Sequence, residues 1–177
     1  MIVYVFLVRR SRPGFAIRTL VGYFLHMSFV EIFATWFGCG KSPKAPGTAG
    51  TVGAIPLVWA FTLAGPINYL VLTMIFTLVA IWVAHLQELA SGRHDDKSVV
   101  IDEVAGFLVT MAWVPFSWTY VILGFALFRL FDVWKPFPIS YVDQKVGGGI
   151  GCVGDDLLAG ILGNIILQVI LKQGWIG

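Results

Sequence analysis

Ten carboxylates occur in the 177 residues, and they are unevenly placed. Seven of them, Asp95, Asp96, Asp102, Glu103, Asp132, Asp155 and Asp156, fall in the polar stretches 91–103 and 132–156 and at their edges, where Asp143 joins them. A charge at the centre of a membrane helix costs about 2.5–3.5 kcal/mol on insertion scales. Acids crowded beside apolar runs also repel one another, so a cation must offset them. Their ligand atoms are hard oxygens, and no Cys/His cluster accompanies them. That donor set selects Mg²⁺, with Mn²⁺ or Ca²⁺ as chemical relatives, over zinc.

Each acidic motif also has an ordinary structural explanation. In VVIDEVAGF, Asp102 and Glu103 stand at the start of an apolar helix, where carboxylates meet the positive end of the helix dipole. In GDDLLAGI, Asp155 and Asp156 are expected to precede the final helix, one of them as its N-cap. FRLFDVWKPFP resists this treatment, because Asp132 closes an apolar helix at the end where the dipole disfavours negative charge. Arg129 lies at i−3 and can pair with it. Pro136 discourages helical geometry at Lys135, so the chain turns there. An arginine, a lysine and an acid thus meet at a rigid corner, which suits metal or phosphate. In GRHDDKS, His94 and Asp95 read as solvated loop residues, and Asp96 is kept as a ligand candidate. His26 and His85 lie in apolar helices and read as core or interface histidines.

Residues 38–51, GCGKSPKAPGTAGT, carry two lysines, hydroxyls and several glycines. A nucleotide phosphate loop needs glycine five residues before Gly-Lys-Ser, and Thr35 stands there. What remains is a flexible segment whose N–H groups and ammonium ions can approach an anion. Beside a carboxylate-bound Mg²⁺, it is expected to cradle a phosphate monoester.

The surrounding elements must place these groups. Hydrophobic residues make up 58% of the chain, charged residues only 12%, and mean hydropathy is +0.84. Soluble domains carry about 25% charge, so an integral membrane protein is expected. Apolar stretches fall at 15–37, 52–64, 66–87, 104–114, 117–131 and 157–171. Several are too short or too rich in Gly and Pro for a straight span of about 20 residues. The expected fold is an all-α polytopic bundle with short or broken helices and an interfacial or re-entrant N-terminal segment. Residues 1–22 read as a basic arm and 23–177 as the membrane domain. Gly65-Pro66 and Pro115-Phe116-Ser117 read as turns without Lys or Arg, whereas Lys41, Lys44, Arg93, Lys97, Lys135 and Lys145 occupy the three polar loops. The positive-inside rule puts those loops on the cytoplasmic face. No secretory cleavage site stands out. Cys39 and Cys152 are far apart and read as free thiols.

The motifs GCGKSPKAPGTAGT, HDDKSVVIDE, FRLFDVWKPFPI and GGGIGCVGDDLLAG, in this order, resemble those of the bacterial phosphatidylglycerophosphatase A family. The match covers residues 37–160, about seven-tenths of the chain. The resemblance implies a Mg²⁺-dependent, multi-pass inner-membrane phosphatase, a phosphoric monoester hydrolase acting on phosphatidylglycerophosphate. It implies metal or catalytic roles for Asp96, Asp102, Glu103, Asp132, Asp155 and Asp156. It implies phosphate-site roles for Lys135 and for Ser42, Pro46, Gly47 and Thr48. Lys41, Lys44 and Arg129 join the phosphate candidates on their charge. The expected partners are a membrane phospholipid and the bilayer; no nucleic-acid partner is expected, and a homo-oligomer is left open. Two rivals carry different predictions. A CDP-alcohol phosphotransferase needs a spaced DG…AR…G…D…D pattern that does not occur. A divalent-cation transporter should place its acids near the bilayer midplane.

Overall fold

A computed structural model of the chain describes residues 29–92 and 96–174. The basic arm, most of segment 15–37 with Arg18 and His26, and Arg93, His94 and Asp95 lie outside the described residues. The described residues are helical and contain no strand. Helical residues 29–34 lead through a reversal at Trp36 and Phe37 into a 3-10 turn, Cys39–Lys41. Seven α-helices follow: α1 (Pro46–Gly53), α2 (Ile55–Leu63), α3 (Pro66–Ser91), α4 (Ile101–Thr110), α5 (Trp118–Trp134), α6 (Ile139–Lys145) and α7 (Gly148–Gln173). The two expected turns are present. Gly65 adopts φ +87° with Pro66 at the first helical position, and the Ser117 hydroxyl accepts from Tyr120 N–H at the start of α5.

Two expectations change. The second half of the Gly/Pro stretch is helical, because Pro46 is preset for a helix start and Gly47 and Gly50 let α1 pack closely on its neighbours. The third polar stretch is helical too. It contains α6 and the first turns of α7, so Asp155 and Asp156 lie inside α7 rather than before it, about 11–12 Å from its start at 1.5 Å per residue. Neither is an N-cap.

α4 is the centre of the molecule. Val104, Ala105, Phe107 and Leu108 have no exposed surface, as expected for a helix apolar on all sides. Its closest partner is α7. A Cβ on Gly160 would meet the Gly106 carbonyl oxygen at 2.3 Å, and one on Gly106 would meet the Asp156 carbonyl oxygen at 2.7 Å. Small residues thus let the two backbones touch. α3 meets α7 in the same way, with Ile81 O at 2.1 Å from a Cβ on Gly149.

α4 stops after ten residues, leaving carbonyls without intrahelical donors in an apolar region. Asn164 Nδ2 donates to the carbonyls of Thr110 (2.9 Å) and Ala112 (2.8 Å), and Gln168 Nε2 donates to Ala112 at 3.0 Å. Tyr69, from the start of α3, donates its hydroxyl to Leu108 O at 2.8 Å. The short helix is therefore capped by side chains of the long ones. α3 and α7, 26 residues each, are long and apolar enough to cross a membrane.

Candidate active site

This packing brings one end of each of α3, α4, α5 and α7 around a single cavity of about 460 Å³. Glu88 comes from the end of α3, Asp102 and Glu103 from the first turn of α4, Arg129 and Asp132 from the last turns of α5, and Asp155 and Asp156 from α7. Pro46 and Gly47, at the start of α1, close one side.

Asp102, Glu103 and Asp156 each point one carboxylate oxygen into a common space, all three within 4.8 Å of one another. Asp102 Oδ1 accepts from Glu103 N–H at 3.0 Å, and its Oδ2 accepts from the Cys152 thiol at 3.0 Å. Glu103 Oε2 and Asp155 Oδ1 are buried without a hydrogen-bond partner among the described residues. Asp155 and Asp156 are only 6% and 4% exposed. Buried, unpaired acceptors around one space make a donor set that fits a hard divalent ion.

Burial and crowding of like charges shape the electrostatics. Burial pushes the Glu103 carboxyl well above its usual range, Asp102 and Asp132 push it further, and Arg129 opposes them. Burial also raises Asp102, against hydrogen bonds from Glu103 and Cys152. Arg129 Nη1 lies 2.5 Å from Asp132 Oδ2 and 3.9 Å from Glu103 Oε1, so it bridges the end of α5 to the start of α4. Lys135 adopts the left-handed conformation (φ +46°) as the C-cap of α5. This turn aims its ammonium at Asp155 Oδ2, 2.7 Å away, and at Asp143 Oδ1. Burial pulls the lysine down, but the bonds and charges of Asp143 and Asp155 outweigh it and hold the ammonium above the ordinary lysine range.

Asp96, Asp102, Glu103, Arg129, Asp132, Lys135, Asp155 and Asp156 line the cavity, as do Pro46 and Gly47. Asp96 Oδ1 is also engaged locally by Ser98, at 3.1 Å from its N–H and 2.9 Å from its hydroxyl. Lys41, Ser42, Lys44 and Thr48 do not line it. Lys41 pairs with Glu31 at 2.8 Å, and the Ser42 hydroxyl donates to Lys44 O at 2.9 Å. Gly47 touches the acids most closely: a Cβ there would fall 2.1 Å from Glu103 Oε1 and 2.9 Å from Arg129 Nη1.

Cys152, Asp143, Lys97 and Glu88 are not among the site residues expected from the sequence, and all four line the cavity. The Cys152–Asp156 spacing is i, i+4, which places both on one helical face. That signal was hidden because GGGIGCVG reads as a loop by propensity.

The phosphatidylglycerophosphatase A family model matches residues 32–171 of this chain. Phosphatidylglycerophosphatase A of Escherichia coli K12 is 36% identical over 141 residues, 79% of this chain and 82% of that protein. The Haemophilus influenzae protein of the same name is 37% identical over 148 residues, 82% of this chain and 90% of that one. A Bacteroides thetaiotaomicron protein named putative phosphatidylinositol-3-phosphatase is 38% identical over 152 residues, 80% of this chain and 94% of that one. No solved structure matches.

Proposed function

Because the chain belongs to the phosphatidylglycerophosphatase A family, we propose that it hydrolyses phosphatidylglycerophosphate to phosphatidylglycerol and inorganic phosphate, with Mg²⁺, at the cytoplasmic face of a bacterial inner membrane. The observation that carries this reading is the meeting of Asp102, Glu103 and Asp156 in one space, with Arg129 and Lys135 on the same cavity wall.

Asp102, Glu103 and Asp156 would hold Mg²⁺, which when bound supplies Lewis-acid charge at the phosphoryl oxygens. Lys135, fixed between Asp143 and Asp155, presents its ammonium to the phosphoryl group as negative charge builds there. The free N–H groups of the first turn of α1 add a positive dipole end beside Glu103. Asp132, held in one orientation by Arg129, orients the attacking water and takes its proton. The water oxygen bonds to phosphorus, the bond from phosphorus to the glycerol oxygen breaks, and that oxygen takes a proton from solvent while Asp132 returns the proton it took to solvent, leaving the alcohol and inorganic phosphate.

α3 and α7 would cross the bilayer, with α4 as a half-length helix shielded between them and α5. Lys97, Lys135 and Lys145 lie at the cavity end, and the turns at Gly65 and Pro115 carry no Lys or Arg, which supports a cytoplasmic cavity. Glu88, Asp102, Glu103 and Asp132 lie at helix ends around one cavity, with Asp155 and Asp156 about two turns into α7, which supports chemistry on one side of the bilayer over a transport path.

Purified protein in detergent should release phosphate from phosphatidylglycerophosphate with Mg²⁺ and stop in EDTA. Folded protein that releases none with Mg²⁺ present would refute the reading. Phosphatidylinositol 3-phosphate, assayed alongside, tests the substrate named for the Bacteroides relative. Cysteines placed at Ser98 and Gln144 should react only from the cytoplasm; labelling from outside would overturn the orientation.

A further inference from the structure

The connector between α5 and α7 has two faces of opposite chemistry. Lys135 turns inward to Asp143 and Asp155 on the cavity wall, and Ile139 is fully buried. From the last turn of α5 through α6, Val133, Trp134, Phe137 and Tyr141 point outward at 72%, 68%, 81% and 58% exposure. Four large apolar or aromatic side chains within nine residues are costly to leave in water. Trp and Tyr with neighbouring apolar groups are favoured at the headgroup level of a bilayer, where one end of the ring is wet and the other dry.

Chain geometry puts the stretch at that level. It leaves α5 at the cavity end, and α7, one of the helices long enough to span, begins at Gly148 immediately beyond α6. The exposed Lys145 at the end of α6 adds a cation suited to anionic headgroups. We propose that residues 133–141 form a lipid-facing strap lying in the headgroup layer, over which a phospholipid passes sideways from the leaflet into the cavity. The strap joins the two requirements of a lipid monoester: aromatic groups hold the glycerol and upper acyl region, and Lys135 meets the phosphate. The occupant is an anionic phospholipid of the surrounding leaflet.

The proposal rests on the lipid phosphatase reading, and two experiments keep them apart. In the first, both native cysteines are replaced by serine, Phe137→Cys is labelled with bimane, and the protein is placed in vesicles of phosphatidylcholine and phosphatidylglycerol. Spin labels at the headgroup or upper acyl chain should quench the probe more than a label at the chain terminus, and more than they quench the same probe at Gln144. Quenching no greater than at Gln144 overturns the strap. So does shielding from lipid together with a doubled particle mass, which would mark a contact between copies of the chain.

In the second, Trp134→Ser/Phe137→Ser is assayed on vesicle-borne phosphatidylglycerophosphate and on the same phosphorylated headgroup without acyl chains. KM for the vesicle lipid should rise roughly tenfold from the lost interfacial area. Its kcat, and kcat/KM on the soluble headgroup, should hold, and Phe137→Trp should behave as wild type. Equal losses on both substrates, or no loss on either, overturn the proposal. If the wild-type protein hydrolyses neither substrate, the phosphatase reading falls and the quenching result still decides the strap.

Discussion

Gly160 and Gly106 meet backbone to backbone where α7 crosses α4, and a Cβ on Gly160 would lie 2.3 Å from the Gly106 carbonyl oxygen. Asp156 is one turn before Gly160, and Glu103 is about one turn before Gly106. The contact therefore sets the spacing of the carboxylates that converge within 4.8 Å. Gly160→Ala should push the helices apart at a rigid backbone contact, costing about 1–3 kcal/mol. Thermal unfolding in detergent should show the loss, and the Mg²⁺ concentration for half-maximal phosphate release should rise. Unchanged values for both would remove the spacing argument.

Asp102→Asn and Asp156→Asn should each lower kcat by at least about a hundredfold, the scale of losing one electrostatic group at a developing charge. The same substitutions relieve repulsion among buried acids, so in EDTA each variant should melt no lower than wild type. The added stability from Mg²⁺ should disappear, because an ion stabilises only the state that binds it. Near-normal turnover in both variants would mean that the site is elsewhere.

Glu103 links stability to pH. Its folded pKa is raised by burial and by Asp102 and Asp132, so the native protein holds this proton more tightly than the unfolded chain. The resulting stability is fully present below the unfolded value of about 4.3 and is lost as pH rises through the folded one. Mg²⁺ favours the deprotonated carboxylate. The rise in melting temperature on replacing EDTA with Mg²⁺ should therefore grow between pH 5 and pH 8, measured with pH buffers that do not bind the ion. A constant or shrinking rise contradicts the assignment.

Lys135→Met should remove the ammonium that bonds Asp155 Oδ2, leaving both oxygens of a 6%-exposed carboxylate without a donor. An unmet buried acceptor costs about 1–3 kcal/mol, and phosphate release should fall sharply. Lys135→Arg should restore stability more than rate, since a fork cannot reproduce a point charge aimed by this turn. Equal rescue of both would reduce Lys135 to a structural tie.

Lys41→Ala and Lys44→Ala should leave kcat/KM within about twofold, because exposed surface ion pairs contribute little and neither side chain lines the cavity. A large loss in either would restore the phosphate cradle expected from the Gly-Lys-Ser stretch.

The amino-acid sequence by itself determined the chemistry. Residue type is enough to say that Asp102, Glu103, Asp132 and Asp156 offer hard oxygen ligands, that Arg129 can reach Asp132 at i−3, and that a helix must stop near Pro136. Those are matters of composition and of a few neighbouring residues, and the same local motifs carried the family resemblance. Only the tertiary structure decided that residues 148–156 are helix. Their glycines lower intrinsic helicity, but Gly149 lets α7 approach Ile81, as Gly160 further along lets it approach Gly106, and packing outweighed propensity. The structure likewise drew Cys152 to Asp102, fifty residues away, and left Lys41 and Lys44 outside the cavity. Such pairings depend on which helix faces touch, and that is set by close contact between distant segments, which no local pattern encodes.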